Sequence, residues 1–237
     1  MTIHTVKLVK RETVANGTML FEWEKPAGFE YVAGQFGDFT LIDPEETDEE
    51  GNVRGFSFVT GSFENKLQTA TRVRDTAFKR MLKRMPLGTS VKLDAPYGDF
   101  RLHKNSSTPA VFLIGGIGIT PVHSMIAQAT HDRLPHHITL LYSNKTVADA
   151  PFTSDLAHMA EANRNFSFVP VYTASSESSV GEHGFIDAAM LKRHVPDLSA
   201  PIYYLAGPAG MVKAMRQMLV AAGADEDNIR TEEFSGY

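Results

Sequence analysis

The sequence predicts two domains: an antiparallel Greek-key β-barrel over residues 1–105, followed by an α/β domain with a parallel sheet over residues 106–237. Two observations support this division. Short β-compatible segments separated by turns fill the first half, which is typical of a small antiparallel barrel. From about Pro109 onward, apolar strands alternate with helices and short loops, which is typical of a parallel sheet covered by helices on both faces.

Six strands are predicted in the first half, and the turn Asn16-Gly17 marks one of them because this dipeptide favours a tight hairpin. Acidic and turn-forming residues over 43–52 predict an exposed connection. A helix over 75–84, with Asp75 as its N-cap, carries a basic face; we interpret this face as solvated, the alternative being a surface for an acidic protein or an anionic cofactor. The predicted strands cover residues 4–12, 18–23, 35–42, 54–60, 66–74 and 90–95.

The second half shows strands and helices in alternation. Pro208 suits the first turn of the last helix, and Gly223 suits its C-terminal cap. Because ligands of parallel sheets bind at the carboxyl ends of the strands, the two glycine turns that lie there, at 115–121 and at 207–208, indicate a ligand site. The predicted strands cover 110–114, 138–142, 166–172, 202–206 and 229–234, and the helices 152–162, 188–194 and 211–222, besides one that follows residue 121.

The segment 115–121, Gly-Gly-Ile-Gly-Ile-Thr-Pro, is the central motif of the chain. It joins an apolar strand to a helix, so backbone N–H groups and the positive end of a helix dipole face whatever lies in front. A dinucleotide pyrophosphate fits such a place, and glycines allow close approach because they lack a Cβ atom. The alternative is a tight turn without a ligand, since Pro121 stands where the usual third glycine would be.

Two further segments carry residues that suit a flat, phosphorylated ligand. In 54–57, Arg54 could clamp a pyrophosphate, Phe56 could stack on a ring and Ser57 could donate to a ring nitrogen. In the turn 95–100, Tyr97 and Phe100 could form the walls of the same site. The alternatives are a strand with a charged end and two aromatic residues of a core.

Composition excludes several classes of function. The net charge of −5 argues against non-specific nucleic-acid binding, and the absence of cysteine excludes disulfides, thiol nucleophiles and cysteine-ligated iron–sulfur clusters on this chain. No apolar run approaches the 18 residues of a membrane span, and the N-terminus has no secretory signal, so we expect a cytoplasmic protein. His136-His137 is a conceivable metal pair, but we interpret both as solvated loop residues.

Five motifs in series resemble those of the ferredoxin–NADP reductase family: Arg-x-aromatic-Ser at 54–57, Pro-x-Gly-x-Phe at 96–100, Gly-Gly-x-Gly-x-x-Pro at 115–121, Gly-Pro at 207–208 and Glu-x-Phe at 232–234. The resemblance covers nearly the whole chain in the family's order. It implies a barrel that binds FAD, a second domain that binds NADH or NADPH, and no iron–sulfur domain.

The resemblance also implies a role for individual residues. Arg54 would bind the flavin phosphate, Phe56 would lie against the flavin and Ser57 would sit near flavin N5. Where the family usually offers a serine to the flavin phosphates, this chain has Lys79, with Thr76 one turn earlier. The family usually has tyrosine at position 56, so a hydroxyl hydrogen bond is missing here.

The remaining implied residues bind the nicotinamide dinucleotide. Ala206 replaces the cysteine that often precedes Gly-Pro in the family, so hydride transfer is expected to be slower or differently arranged. Glu232 would lie near the contact between flavin and nicotinamide, and Phe234 or Tyr237 would cover the flavin ring. The pyrophosphate and nicotinamide would be cradled or flanked by Gly115, Gly116, Gly118, Thr120, Pro121, Gly207 and Pro208.

The implied activity is hydride transfer between nicotinamide and flavin N5, with Ser57, Thr120 and Glu232 at the reacting atoms, followed by release of single electrons to a ferredoxin-like protein, another subunit or another one-electron acceptor. A reductase component of an oxygenase and a ferric or flavin reductase are alternatives. A non-catalytic flavin-binding regulatory module is the alternative of another class, favoured by Ala206 and Phe56. The 2′-phosphate of NADPH needs a positive group near the second or third strand of this domain, and Lys145 is the one candidate. Because this single lysine does not settle the choice of nucleotide, we favour NADH slightly.

Overall fold

The computed structural model describes residues 2–174 and 180–234, which form an antiparallel barrel followed by an α/β domain. The elements of the barrel are β1 (Thr2–Ala15), β2 (Thr18–Trp23), β3 (Phe36–Leu41), β4 (Val53–Ser57), β5 (Leu67–Arg72), α1 (Ala77–Arg84) and β6 (Ser90–Tyr97). Its strands pair in the order β4-β3-β6-β1-β2-β5, every neighbouring pair is antiparallel, and a bridge between Phe58 and Thr69 connects the two ends.

Aromatic side chains fill the barrel. Trp23 is 1% exposed, and its indole Nε1 donates to Thr69 Oγ1 at 3.0 Å, which satisfies the only polar atom of that side chain. Phe39 contacts Trp23 with ring centroids 5.0 Å apart. Helix α1 closes this core with Phe78 and Leu82, both at most 2% exposed. The barrel therefore gives β4 and α1, which carry predicted site residues, a rigid base.

The elements of the α/β domain are β7 (Ala110–Gly115), α2 (Ile119–His131), β8 (Ile138–Asn144), α3 (Thr153–Ala162), β9 (Phe166–Tyr172), β10 (Glu182–His183), α4 (Ala188–His194), β11 (Ile202–Pro208), α5 (Ala209–Ala221) and β12 (Ile229–Phe234), with 3₁₀ turns at Gly116–Gly118, Val147–Asp149 and Glu226–Asn228. Its strands form a six-stranded parallel sheet in the order β10-β9-β8-β7-β11-β12. The central strand β7 is buried on both faces because α2 and α3 pack on one face and α4 and α5 on the other.

The fold class is confirmed, and several local predictions need correction. Thr76, not Asp75, caps α1, since its side chain accepts from the Lys79 backbone N–H. His136 is buried and its Nε2 lies 2.9 Å from the carbonyl oxygen of His103, so only His137 of that pair is exposed as expected. The short strand β10 was not predicted, because two residues carry no periodic signal.

A small apolar cluster joins the two domains beside the glycine segment. Leu20, Val59 and Ala70 of the barrel pack with Ile117, which is 8% exposed, and Phe234 lies against them. This cluster places the start of α2 against the ends of β4 and β5. Within the described ranges, no helix has both the length and the apolarity that crossing a membrane requires.

Candidate functional site

A cavity of about 420 Å³ lies where the barrel meets the glycine segment. It brings together predicted residues from four separate parts of the chain: β4, α1, the start of α2 and the end of β12. The lining residues are Glu50, Arg54, Gly55, Phe56, Ser57, Ala70, Thr71, Arg72, Arg74, Thr76, Lys79, Ile117, Thr120 and Phe234.

One end of this cavity is basic. Arg54, Arg72, Arg74 and Lys79 all line it, at the N-terminus of α1 where Thr76 is the cap. The pKa of Lys79 is lowered, first because the ammonium is partly buried and then because Arg74 and Arg54 are near. An anion bound here would relieve that repulsion and would meet the positive end of the helix dipole.

Carboxylates from the acidic connection already contact this basic end. Glu50 Oε2 lies 2.6 Å from Arg54 Nη2, and the Arg54 guanidinium also lies 5.3 Å from the centroid of the Phe78 ring. Asp48 Oδ2 accepts from the backbone N–H of Ala77 at 2.7 Å, in the first turn of α1. These contacts show that the guanidinium and the helix N-terminus hold anionic oxygens in this geometry.

The same connection also neutralises the outer face of α1. Glu46 Oε1 accepts from Arg80 Nε at 2.9 Å, and Glu46 Oε2 lies 3.4 Å from Arg84 Nη2. Asp75 pairs with Arg80 as well. The predicted exposed connection is therefore attached to the helix, and two of the basic residues of that helix face are paired.

The other end of the cavity is apolar, because Ala70, Ile117 and Phe234 line it and pack in one cluster. Ser57 is 4% exposed and Phe56 is 8% exposed. Phe56 packs between Phe39 and Phe78, at centroid distances of 5.8 and 5.9 Å, so its ring is part of the barrel core as well as the cavity wall.

The glycine segment is buried throughout and faces β11 at very short distance. A Cβ atom on Gly118 would lie 2.6 Å from the carbonyl carbon and oxygen of Ala206, and one on Gly115 would lie 2.4 Å from Met211 Sδ. Thr120 Oγ1 donates to the Ile117 carbonyl at 3.1 Å, and Tyr142 donates its hydroxyl to the Gly116 carbonyl at 3.0 Å. At Gly118 the opposing atoms are backbone, so glycine is required there for packing whether or not a ligand binds.

Glu232 lies on β12 beside Ala206, in register across the parallel pair. Burial raises the pKa of its carboxyl to about 7, and its Oε2 atom is buried with no hydrogen-bond partner in the described part of the chain. Asn144, at the carboxyl end of β8, is 5% exposed and likewise has neither amide atom paired within residues 2–174 and 180–234. Both unpaired groups lie toward the sheet edge where parallel sheets bind ligands.

Some predicted residues lie away from the cavity. Tyr97 packs on Phe36 with centroids 5.8 Å apart, and Phe100 packs edge-on against Tyr204 in the core. Gly207 and Pro208 lie at the end of β11, close to Gly115 instead. Pro121 is buried in the first turn of α2, and Tyr237 lies outside the described residues.

Sequence reasoning missed Arg72, Arg74 and Glu50, which also line the cavity. The sequence holds a signal for the first two: Arg72 and Arg74 are two residues apart at the end of β5, so both side chains are expected on the same face of that strand. It could be used only with knowledge that β5 lies beside β4 in the closed barrel.

Known proteins resemble this chain in both sequence and fold. Residues 112–217 match the family model of the oxidoreductase NAD-binding domain. Preceded by the antiparallel barrel, this domain confirms the resemblance to the ferredoxin–NADP reductase family that the motifs predict. The family-model match agrees with the predicted nicotinamide nucleotide, and the relatives include reductase or electron transfer components of oxygenases.

The individual relatives are distant. The chain is 27% identical over 238 residues to the glycine betaine monooxygenase reductase subunit of Chromohalobacter salexigens, covering 98% of this chain and 64% of that protein. It is 25% identical over 228 residues to the reductase component of propane 2-monooxygenase of Rhodococcus jostii, covering 89% of this chain and 57% of that protein. The chain thus spans about three fifths of these relatives.

The fold likeness extends over both domains. A ferredoxin–NADP⁺ reductase from Neisseria gonorrhoeae, solved with bound FAD and NADP, superimposes with a TM-score of 0.82 at 21% identity, covering 98% of each chain.

Proposed function

We propose that this chain binds FAD in the cavity between the domains, binds NADH or NADPH beside the glycine segment, and transfers a hydride between the two cofactors. The observation that carries the proposal is the cavity itself, which has a cationic end at a helix N-terminus and an apolar end beside Ser57 and Thr120. A volume of about 420 Å³ lies within the range of small-molecule sites. We further propose that the domain boundary lies near residue 105, between β6 and β7.

The cationic end suits the flavin phosphates. Arg54 presents a planar fork that matches phosphate oxygens, and Lys79 supplies a point charge. Thr76 and the first turn of α1 add hydroxyl and backbone donors. Arg72 and Arg74, which the motifs did not indicate, complete the set.

The apolar end suits the flavin ring and the nicotinamide. When bound, the flavin accepts a hydride at N5 and releases electrons one at a time. Ser57 would donate near that nitrogen, Phe56 would support the ring from the barrel side, and Thr120 would bound the space from α2. Phe234 lines the cavity and would cover the ring.

The glycine segment would hold the second nucleotide through its backbone. Close approach between Gly118 and Ala206 and between Gly115 and Gly207 leaves backbone groups, not side chains, at the ends of β7 and β11. Glu232, adjacent to Ala206, has a carboxyl whose pKa burial raises to about 7, so below that pH it would carry a proton and place no charge beside the nicotinamide.

We propose that the electron acceptor is an oxygenase component or a ferredoxin-like protein. The support comes from two relatives, which are reductase parts of a glycine betaine monooxygenase and a propane 2-monooxygenase. A free ferric or flavin substrate is the alternative, and the steady-state acceptor profile of the purified protein would discriminate between them.

The test is an anaerobic absorbance titration of the flavin-loaded protein with NADH and with NADPH. Bleaching of the flavin band near about 450 nm, a property of the cofactor itself, by one nucleotide supports the proposal and identifies the donor. Flavin that stays oxidised with both nucleotides would instead favour the non-catalytic module, for which Ala206→Cys is the next variant. A protein that cannot bind FAD contradicts both.

A further inference from the structure

One face of α2 is hydrogen-bonded directly to the segment that follows β4. His123 Nδ1 donates to the Val59 carbonyl at 2.8 Å, and Ser124 Oγ donates to the Thr60 carbonyl at 2.6 Å. Five residues after His123, the side-chain oxygen of Gln128 accepts from both the backbone N–H and the hydroxyl of Ser62, each at 2.9 Å. We name this set of contacts the interdomain seam; it consists of His123, Ser124 and Gln128 on α2 and Val59, Thr60 and Ser62 on the barrel.

The seam is dry at its centre. Ser124 is 0% exposed, Thr60 and Val59 are each 1% exposed, and His123 is 7% exposed. Buried hydrogen bonds of this kind are costly to break because the partners left behind lose water as well as each other. The seam is therefore a rigid connection and not a loose surface contact.

The barrel side of the seam is itself fixed. Tyr31, in the barrel core, donates its hydroxyl to the Thr60 carbonyl at 2.9 Å and lies 3.1 Å from the Gly61 carbonyl. Lys25 Nζ donates to the carbonyls of Ser62 and Glu64, each at 2.8 Å. The segment after β4 is thus held from the barrel on one side and from α2 on the other.

Both sides of the seam are joined by short stretches of backbone to the cavity. Ser57 lies two residues before Val59, at the end of β4, and Thr120 lies three residues before His123, within the first turn of α2. Both residues line the cavity, from opposite domains. A shift of α2 along the seam would therefore move Thr120 relative to Ser57 by a similar amount.

We infer that Ser124 is a positioning residue that sets the distance between the two cofactor-binding walls, with Gln128 in a secondary role at the half-exposed end of the seam. The inference rests on the proposed function and adds the element that aligns its two cofactors. Hydride transfer depends steeply on the separation of the reacting atoms, and a displacement of about 1 Å can lower a rate about 100-fold. Ser124 touches neither the cavity nor, in this proposal, either cofactor.

The experiment compares Ser124→Ala with wild type in the flavin-loaded protein by anaerobic stopped-flow absorbance. We expect flavin reduction by the preferred nucleotide to slow at least about 10-fold, while FAD content and the nucleotide Kd stay within about twofold. We also expect the long-wavelength charge-transfer absorbance of the flavin–nicotinamide complex to weaken, because that band requires the two rings to stack. A loss of stability alone would not change this band in the folded protein.

Tyr31→Phe is the matched control. It removes a hydroxyl that donates to the same Thr60 carbonyl, but from within the barrel, so the bond across the seam remains. We expect its reduction rate and charge-transfer absorbance to fall much less than those of Ser124→Ala, because Lys25 and the bond across the seam still hold the segment. Gln128→Ala serves if Ser124→Ala does not fold, because its site is only half-buried, and it should show a smaller change in the same direction.

The inference would be overturned if Ser124→Ala and Gln128→Ala both kept the wild-type reduction rate and charge-transfer absorbance. That result would leave the proposed function intact. Equal losses in Ser124→Ala and Tyr31→Phe would also overturn it, since the effect would then belong to the barrel segment and not to the seam. Failure of wild type itself to be reduced by either nucleotide would overturn the proposed function.

Discussion

The two walls of the site achieve close approach to a ligand in opposite ways. The barrel wall presents side chains, with four cations and a helix cap around the basic end of the cavity. The wall made by the glycine segment presents backbone, because a Cβ atom on Gly118 would meet the backbone of Ala206 on β11 and one on Gly115 would meet the Met211 side chain of α5. Removing a side chain should therefore damage the first wall, whereas adding one should damage the second.

The largest expected effect comes from adding a methyl group to the second wall. Gly118→Ala would place a Cβ atom 2.6 Å from two backbone atoms of Ala206, which cannot rotate away. We expect a loss of about 1–3 kcal/mol or more in the free energy of unfolding, typical of overpacking, and strongly reduced flavin reduction by NAD(P)H. Chemical denaturation and anaerobic titration measure the two effects.

Gly210→Ala is the control for that change. Gly210 lies in α5, and a Cβ atom there would meet no atom of the described chain within 4 Å. Alanine should be neutral or stabilise the helix by up to about 1 kcal/mol. Equal destabilisation by both substitutions would contradict the role given to the second wall.

The next largest effect comes from removing a cation from the first wall. Arg54→Ala should weaken FAD binding about 10- to 100-fold, the range expected for losing hydrogen bonds to a charged group. Fluorescence titration of the flavin-free protein gives the Kd. Arg101→Ala is the matched control, because Arg101 is paired with Asp99 at the surface, away from the cavity. An unchanged Kd in Arg54→Ala would exclude the basic end as the phosphate site.

The substitution Glu232→Gln tests the burial of a carboxyl in the region where the two walls meet. Its pKa is about 7 in the folded protein against 4.5 for an ordinary glutamate, so the folded state binds more protons between these values and stability falls as pH rises through them. Glu232→Gln should therefore exceed wild type in unfolding free energy by up to about 3 kcal/mol at pH 8, and this advantage should shrink toward pH 5. Urea denaturation at several pH values measures it.

Glu233→Gln, on the exposed side of the same strand, is the control for this pH series. It should retain the wild-type dependence of stability on pH. A constant difference between Glu232→Gln and wild type from pH 5 to pH 8 would mean that the buried carboxyl is not the titrating group.

The smallest effect concerns the carboxylate that contacts the first wall. Glu50→Gln would free Arg54 from an ion pair in which Glu50 is 66% exposed. Exposed pairs contribute about 0.2–1 kcal/mol, so FAD affinity should increase no more than about fivefold. The same fluorescence titration applies, and weaker FAD binding in Glu50→Gln would show that the carboxylate supports the arginine instead of competing for it.

The elements that were best predicted are those with strong local signals. The structure has β9, α4 and β12 at the predicted bounds of 166–172, 188–194 and 229–234, since each is a periodic run bounded by turn residues. Helix α1 begins two residues late because Thr76 competes with Asp75 for the cap, and both residue types suit that role.

The parts of the site that could not be predicted depend on long-range closure. Arg72 and Arg74 enter the cavity only because β5 closes against β4, and Glu50 enters because its connection folds back on α1. His136 is buried by a contact with a carbonyl 33 residues away. The alternation on β5 can be used only once this closure is known, and the contacts of Glu50 and His136 give no signal in the neighbouring sequence. The constraint on the glycine segment is local and therefore visible there.

The carboxylates attached to α1 have a consequence for how molecules approach the protein. Glu46 lies against Arg80 and Arg84, and Asp75 pairs with Arg80, so two of the four basic residues of the helix are partly neutralised and the positive field at a distance is reduced. Electrostatic steering becomes weaker as the net charge of the approached surface decreases. A negatively charged protein would therefore be steered to this side of the barrel less strongly than four unpaired cations would steer it, and its association rate there would change less with ionic strength.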